Sequence, residues 1–330
     1  MAAVRWGILG ASKFALNHMG PAIHAAHGAE LVAVASSSAE KAAGFAAFCP
    51  GIRHINSYEA LLADPAIDAV YIPLPNHLHV EWTLKALAAG KHVLTEKPIA
   101  LKAAEIDTLI AARDRSGLLA AEAFMIVHHP QWQRARALVQ SGEIGRVLHA
   151  DAVFSFRLTD ADNIRNRPET GGGSLRDIGV YTFGAMRFVT GAEPETLESR
   201  ISWQSGIDSF AHVFGTMAGP TGQFTFASTT SMRLYNRQVV TFQGEKGMVR
   251  LEGGPFNANV NDLAAVELHV DGNRVITERF PSANHYKLQV EAFGRSVREG
   301  VPYPCPLEFG QGTQRMMDMA YAAAKDMRGA

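Results

Sequence analysis

Val4-Arg5-Trp6-Gly7-Ile8-Leu9-Gly10-Ala11-Ser12-Lys13-Phe14-Ala15 opens the chain. An apolar strand, Val4–Leu9, runs into a glycine turn, and Phe14–Ala26 reads as the helix that follows. In the dinucleotide fingerprint G-x-G-x-x-G/A, the first glycine makes the tight turn and the second lets the backbone approach a pyrophosphate. The third small residue lets the helix pack on the sheet. Gly10 and Ala15 fill the first and third places, and Ser12 stands in the second. Alone, such a string also fits any strand-to-helix turn. The residues downstream decide between the two.

Leu31–Ala35, Ala69–Ile72, His92–Thr95 and Leu119–Ala123 read as short buried strands. The stretches beginning near Ala39 and spanning His77–Ala89 and Ala103–Ser116 read as the helices between them. This alternation predicts right-handed βαβ units and a mostly parallel sheet, an α/β dinucleotide-binding domain over residues 1–123. The pattern then changes. A helix at Gln131–Gln140 and a strand at Val147–Phe156 precede a polar loop, Thr159–Gly172, and a helix over Gly173–Thr190. Strands follow around Ser199–Trp203, His212–Met217, Gly222–Ser231, Arg237–Gln243, Met248–Leu251, Ala265–Val270 and Val275–Phe280. Consecutive strands with turns such as Asp271-Gly272-Asn273 predict a large, open, mostly antiparallel sheet in a second α+β domain over residues 124–330. Helices at about Lys287–Arg298 and Glu308–Asp326 close the chain, with the option of packing back on the first domain.

At 330 residues, with 47% hydrophobic and 19% charged side chains, the chain has the composition of a globular protein large enough for two domains. A net charge of −1 offers no field for nucleic acid or an anionic membrane. No apolar run approaches the ~20 residues of a membrane helix, and the first residues do not read as an export signal. Cys49 and Cys305 lie far apart, in different predicted domains, which argues against a disulfide and for a reducing cytoplasm. His77, His79, His92, His128 and His129 match no zinc spacing, so no metal is expected.

The second strand ends in Ser36-Ser37-Ser38, without the acid that would bind the ribose 2′-hydroxyl of NAD, and Lys41 follows one turn on. Serines here either hydrogen-bond a 2′-phosphate or cap the next helix. The missing carboxylate favours NADP, with NAD as the alternative.

Two further strings carry chemistry. Glu96-Lys97-Pro98 puts a lysine at a strand end, and Gly171-Gly172-Gly173-Ser174-Leu175-Arg176-Asp177-Ile178-Gly179-Val180-Tyr181 puts Asp177 and Tyr181 on one helical face. An amine, a phenol and a carboxylate make a proton-transfer set for a carbon–oxygen centre. A phenol titrates near ~10 when unperturbed and needs positive charge nearby to act as a base at neutral pH. A tyrosine on an apolar helix is more often a core residue, and an aspartate beside it can simply bond backbone.

Ile72-Pro73-Leu74-Pro75-Asn76-His77-Leu78-His79 with Ala89-Gly90-Lys91-His92-Val93-Leu94-Thr95-Glu96-Lys97-Pro98, joined to Gly171–Tyr181, strongly resembles the Gfo/Idh/MocA oxidoreductases over nearly the whole chain. The resemblance implies a Rossmann domain, a C-terminal α/β domain with an open sheet, and a nicotinamide cofactor. Tyr181, where many members have histidine, is similar to the glucose–fructose oxidoreductase, xylose dehydrogenase and dimeric dihydrodiol dehydrogenase branch. It implies catalytic roles for Lys97, Tyr181 and Asp177. With the fingerprint, it gives expected cofactor contacts at Gly10, Ser12, Lys13, Phe14, Ser36, Ser37, Lys41, Pro73, Leu74, Asn76, His79, Glu96, Lys97 and Arg165. Asn76 and His79 are expected to cap a helix there, and the Asn163–Arg165 loop either approaches the site or is solvated.

Four departures stand out: Ser12 in place of the second fingerprint glycine, which some members of this branch share; Ser37, where an arginine often stands; Ile126-Val127, in place of Tyr-Arg in a Phe-Met-Tyr-Arg-x-His-Pro stretch; and Arg176 beside the aspartate. The implied reaction is hydride transfer between NADP (or NAD) and a sugar, sugar derivative or related polyol. Dihydrodiol oxidation, a redox-dependent glycosidase and a non-catalytic NADP sensor are the rivals. Apolar alternations such as Gln223-Phe224-Thr225-Phe226 predict a homodimer or homotetramer packed through the sheets.

Overall fold

The opening apolar run becomes β1 (Val4–Leu9), buried on both faces as a central parallel strand must be. The computed structural model describes residues 2–220, 222–258, 263–270 and 272–327. A π-turn over Ala15–Met19 leads into α1 (Gly20–Ala25), so the expected helix is broken into two short pieces. Then come β2 (Ala29–Ala35), α2 (Ala39–Ala43), β3 (Arg53–Ile55), α3 (Tyr58–Leu62), β4 (Ala69–Ile72), α4 (His79–Ala88), β5 (His92–Thr95), α5 (Ala103–Ser116) and β6 (Ala120–Glu122). The six strands form one parallel sheet in the order β3-β2-β1-β4-β5-β6. Strand order reverses between β1 and β4. In such doubly wound sheets the carboxyl ends of the strands at that point open the ligand crevice. Leu9, Val70, Ile72, Val93, Ile106 and Leu109 build the core beneath it.

The second run of elements is α6 (Pro130–Gln140), β7 (Val147–Ser155), a π-turn over Leu175–Gly179, α7 (Val180–Thr190), β8 (Glu193–Gln204), β9 (Ile207–Gly219), β10 (Gly222–Ser231), β11 (Arg237–Gly244), β12 (Gly247–Glu252), β13 (Ala265–Val270) and β14 (Arg274–Arg279). The chain closes with α8 (His285–Glu299), α9 (Leu307–Ala322) and β15 (Ala324–Asp326). The last helix therefore ends sooner than its sequence suggests, and the tail pairs parallel with β8. Nine strands order as β14-β13-β12-β11-β7-β10-β9-β8-β15. Two antiparallel meanders meet at β7, whose pairing with β10 is parallel. Gly272 sits at φ +76° between β13 and β14, as the expected hairpin requires, while Asp271 lies outside the described residues.

The chain divides into two compact units, Met1–Met125 with Asn284–Gln311 and Ile126–Ala283 with Gly312–Ala330. In the first unit α8 packs on β1 and β2, its Phe293 ring 5.0 Å from that of the fully buried Trp6. Truncating an aromatic in such a contact costs about 3–5 kcal/mol. Cys49 and Cys305 are both buried and in no disulfide, and both belong to this unit rather than to different domains, because the segment Asn284–Gln311 returns to it. In the second unit every residue of α7 is buried. One face of β10 (Phe224, Phe226, Ser228, Thr230) turns inward, and Ser228 Oγ donates to Thr182 Oγ1 of α7 at 2.8 Å. The opposite face carries His149 bonded to Thr225 and His212 bonded to Thr229, with Asp151 among them.

Candidate active site

The carboxyl ends of β1 and β2 hold the first group of expected residues. Gly10 has φ +115°, and a Cβ there would lie 3.0 Å from Leu74 Cδ2, so only glycine fits the turn. Ser12 Oγ accepts the Ala15 N–H at 3.0 Å, capping the first helical turn, a task glycine could not perform. Lys13 is exposed and Phe14 half-buried, its ring edge-on to Tyr286 at 5.5 Å. Ser36 Oγ accepts the Ser38 N–H, and Ser38 Oγ caps α2 through the Lys41 N–H. Ser37 and the Lys41 side chain face solvent. His54 of β3 joins this strand end unannounced, its Nε2 2.7 Å from Ser36 O. A glycine turn with no room for a Cβ, a helix amino terminus and a hydroxyl-lined strand end fit a dinucleotide carrying a 2′-phosphate.

The ends of β4 and β5 hold the second group. Pro73 is half-buried and Leu74 buried. Asn76 begins a 3₁₀ turn, Asn76–Leu78, with Pro75 rather than Asn76 in the capping position. The Lys97–Pro98 peptide is cis. Glu96 Oε1 accepts the Tyr71 hydroxyl at 2.6 Å, and its Oε2 accepts the Lys97 N–H at 3.3 Å. Glu122 Oε1 accepts the Ile99 N–H at 2.9 Å. His79 Nδ1 lies 2.8 Å from Pro98 O, and its Nε2 2.7 Å from Leu74 O. The turn around Lys97 is therefore braced by three ionisable side chains, while Lys97 itself is half-exposed. His79 does not cap α4: no side chain does, and its ring lies between the carbonyls of two loops, to one of which the neutral imidazole can donate.

Burial lowers the His79 imidazole to about 4 and outweighs the two carbonyls, which favour its charged form. A histidine in the unfolded chain titrates near ~6.5, so the unfolded state takes up the proton first. The stability due to a neutral His79 is complete above that value and is lost as pH falls toward 4. We expect the denaturation midpoint of the protein to fall across this window, and to fall less in His79→Gln. His129, also lowered to about 4 by burial, retains its own share. Equal losses in both proteins would contradict this account of His79.

The second unit holds the third group. Asp177 sits in the π-turn and is 8% exposed; Tyr181 follows in α7 and is 7% exposed. The Tyr181 ring packs 5.8 Å from Phe154 and 5.7 Å from Phe256. Arg165 Nε donates to Asp177 Oδ2 at 2.8 Å, so this arginine, expected among the cofactor contacts, is the carboxylate's partner. Its loop is built to hold it there. Asn163 Oδ1 accepts the Arg165 N–H, and the Arg165 and Arg167 carbonyls accept the N–H groups of Gly173 and Gly172. A Cβ on Gly172 would lie 2.4 Å from Arg165 O, which explains the middle glycine of the triplet. Among the described residues no group of three His, Cys, Asp or Glu side chains could hold a metal ion, and no helix is long and apolar enough to cross a membrane.

Comparison with known proteins identifies both halves. Residues 4–124 match an oxidoreductase family with an NAD-binding Rossmann fold, and residues 132–250 match the C-terminal domain of the same family. A D-xylose 1-dehydrogenase (NADP(+)) of Haloferax volcanii is 36% identical over 97% of each chain. A dTDP-3,4-didehydro-2,6-dideoxy-alpha-D-glucose 3-reductase of Saccharopolyspora spinosa is 35% identical over 96% of this chain and 94% of its own. A 3-ketoreductase of Actinomadura kijaniata, solved with NADP and TDP-benzene, superposes with a TM-score of 0.88 at 28% identity over 98% of both chains. It has also been solved with a lysine replaced and with a tyrosine replaced. The six-stranded parallel unit, the nine-stranded sheet and these matches place the chain in the Gfo/Idh/MocA family of oxidoreductases.

Proposed function

We propose that the chain is an NADP-dependent dehydrogenase or reductase that acts on a CH–OH or C=O centre of a sugar, sugar derivative or related polyol. The observation that carries this reading is the coexistence of a braced Lys97 turn with an Asp177–Tyr181 pair four residues apart on one helical segment. Relatives support the substrate class, since one acts on xylose and another on a dTDP-linked deoxysugar. The lysine and tyrosine replaced in the 3-ketoreductase are spaced along that chain as Lys97 and Tyr181 are here. Its lysine variant was still solved with NADP, which suits a lysine that serves chemistry more than nucleotide affinity.

Gly10 and the capped helix start would take the pyrophosphate, and Ser36, Ser37, Lys41 and His54 would take the 2′-phosphate. The bound nicotinamide supplies the hydride acceptor or donor. In oxidation the substrate hydroxyl passes its proton to the Tyr181 oxygen as its carbon gives up hydride; in reduction the phenol returns that proton. Lys97 holds the substrate oxygen and stabilises negative charge developing on it. Asp177, fixed by Arg165, binds a further substrate hydroxyl.

A fluorescence titration with NADPH and NADH tests the nucleotide assignment. NADPH should bind at least roughly tenfold tighter, and Ser37→Asp should erase most of that preference. Failure to bind either nucleotide would overturn the reading at its base. We further propose a cytoplasmic enzyme, in keeping with two cysteines in no disulfide, that pairs through the open face of its nine-stranded sheet. Sedimentation should give a dimer or tetramer, and a monomer at micromolar concentration would contradict the pairing.

A further inference from the structure

Asp208 is a buried carboxylate that the proposed chemistry leaves without a role. It lies on β9 and is 2% exposed. Oδ2 accepts from Ser174 Oγ at 2.8 Å and from the Leu175 N–H at 2.7 Å, and Oδ1 accepts the Tyr321 hydroxyl at 2.8 Å. Thr230 Oγ1 lies 3.0 Å from Ser174 Oγ. Because the Ser174 proton is committed to Asp208, Thr230 is the donor in that contact. A continuous relay of hydrogen bonds therefore ties β10, β9 and α9 to the start of the segment that carries Asp177 and Tyr181.

The placement has two physical consequences. The Leu175 N–H belongs to the first helical turn, where donors have no partner within the helix, and a carboxylate brought from a distant strand satisfies it and suits the dipole. Gly173 has φ +122°, and a Cβ there would lie 2.1 Å from Asp208 Oδ1. The last glycine of the triplet thus admits this carboxylate to the helix start. Tyr321 adds a second hold, since the Arg176 guanidinium lies over its ring at 5.3 Å from the centroid.

We propose that Asp208 and Tyr321 are positioning residues: from the sheet and from α9 they fix the orientation in which Asp177 and Tyr181 are presented, without touching substrate themselves. The proposal rests on the roles given to Asp177 and Tyr181 above. Misplacement of reacting groups by a fraction of an ångström to an ångström lowers turnover steeply, so the effect belongs in kcat and not in nucleotide binding.

Tyr321→Phe and Asp208→Asn test it, each read by kcat, by KM for NADPH, by thermal midpoint and by hydrogen exchange of the amides from 175 to 181. Tyr321→Phe keeps the ring under Arg176 and removes one oxygen. We expect kcat to fall roughly tenfold in Tyr321→Phe and roughly a hundredfold in Asp208→Asn, with KM for NADPH unchanged. Exchange at residues 175–181 should accelerate while β9 and β10 stay protected. A lowered midpoint with wild-type kcat per folded enzyme and wild-type exchange at 175–181 would overturn the proposal, because a merely structural role predicts that result. Should Asp208→Asn fail to fold, Tyr321→Phe decides alone. Should the wild-type protein turn over no carbohydrate, the functional reading fails by itself, and the exchange measurement still decides whether these residues hold the segment.

Discussion

Lys97→Met is expected to lower kcat by about 10²–10³-fold, the range found when one preorganised donor to a developing oxyanion is removed. Methionine keeps most of the length of lysine and discards only the charge and its three donors. The turn should survive, because Glu96, His79 and Glu122 hold its backbone. NADPH affinity, resting on Gly10, the capped helix start and the Ser36–Ser38 strand end, should change little. Steady-state kinetics beside a nucleotide titration separates the two quantities. Turnover equal to wild type would remove Lys97 from the reaction, and loss of binding and turnover together would assign it to the nucleotide.

Tyr181→Phe is the second large effect. The substitution removes one oxygen from a ring packed against the stacked Phe154 and Phe256, so the aromatic contacts remain and folding should be preserved. Removing a general acid–base group costs about 10²–10⁴-fold. The pH profile is the sharper readout. If Tyr181 takes the proton, oxidation in the wild-type protein rises with pH as the phenol ionises, and that limb should vanish in the phenylalanine variant. A fall in rate with the limb intact would place the proton on another group.

Most of the architecture is legible in the chain because local signals and burial agree there. β1, β4, β5 and α5 occupy the residues that the alternation of strands and helices indicates. β3 is not legible: Arg53-His54-Ile55 has no apolar run and becomes a strand only by pairing with β2. β15 is likewise made by its partner, since Ala324-Lys325-Asp326 continues a helical pattern until β8 takes it up. Ser12 shows a finer limit. Read as a gap in a glycine motif, it is a helix cap whose partner lies three residues away. The expected helix over Gly173–Thr190 conceals a π-turn because side-chain periodicity does not register one extra residue in a turn.

The candidate site divides in the same way. Lys97, Asp177 and Tyr181 stand in strings whose spacing carries information. Their supports do not: Glu122 is distant in sequence from the turn it braces, Arg165 is expected at the cofactor and not as the partner of Asp177, and Asp208 and Tyr321 are 113 positions apart. Contacts of that range leave no periodic trace, and only the folded sheet brings them together.

The central claim is reversible hydride transfer to a carbohydrate-like centre. The direct test mixes purified protein with NADP⁺ and a panel of aldoses, deoxysugars, polyols and a trans-dihydrodiol, following reduced-nicotinamide absorbance, with Lys97→Met in parallel. The account predicts reduction of the nucleotide by at least one sugar or polyol, and its collapse in the lysine variant. Nucleotide binding with no redox change for any carbohydrate would contradict it. Release of sugar from an aryl glycoside would then point to a transient redox glycosidase, and complete inertness to an NADP sensor.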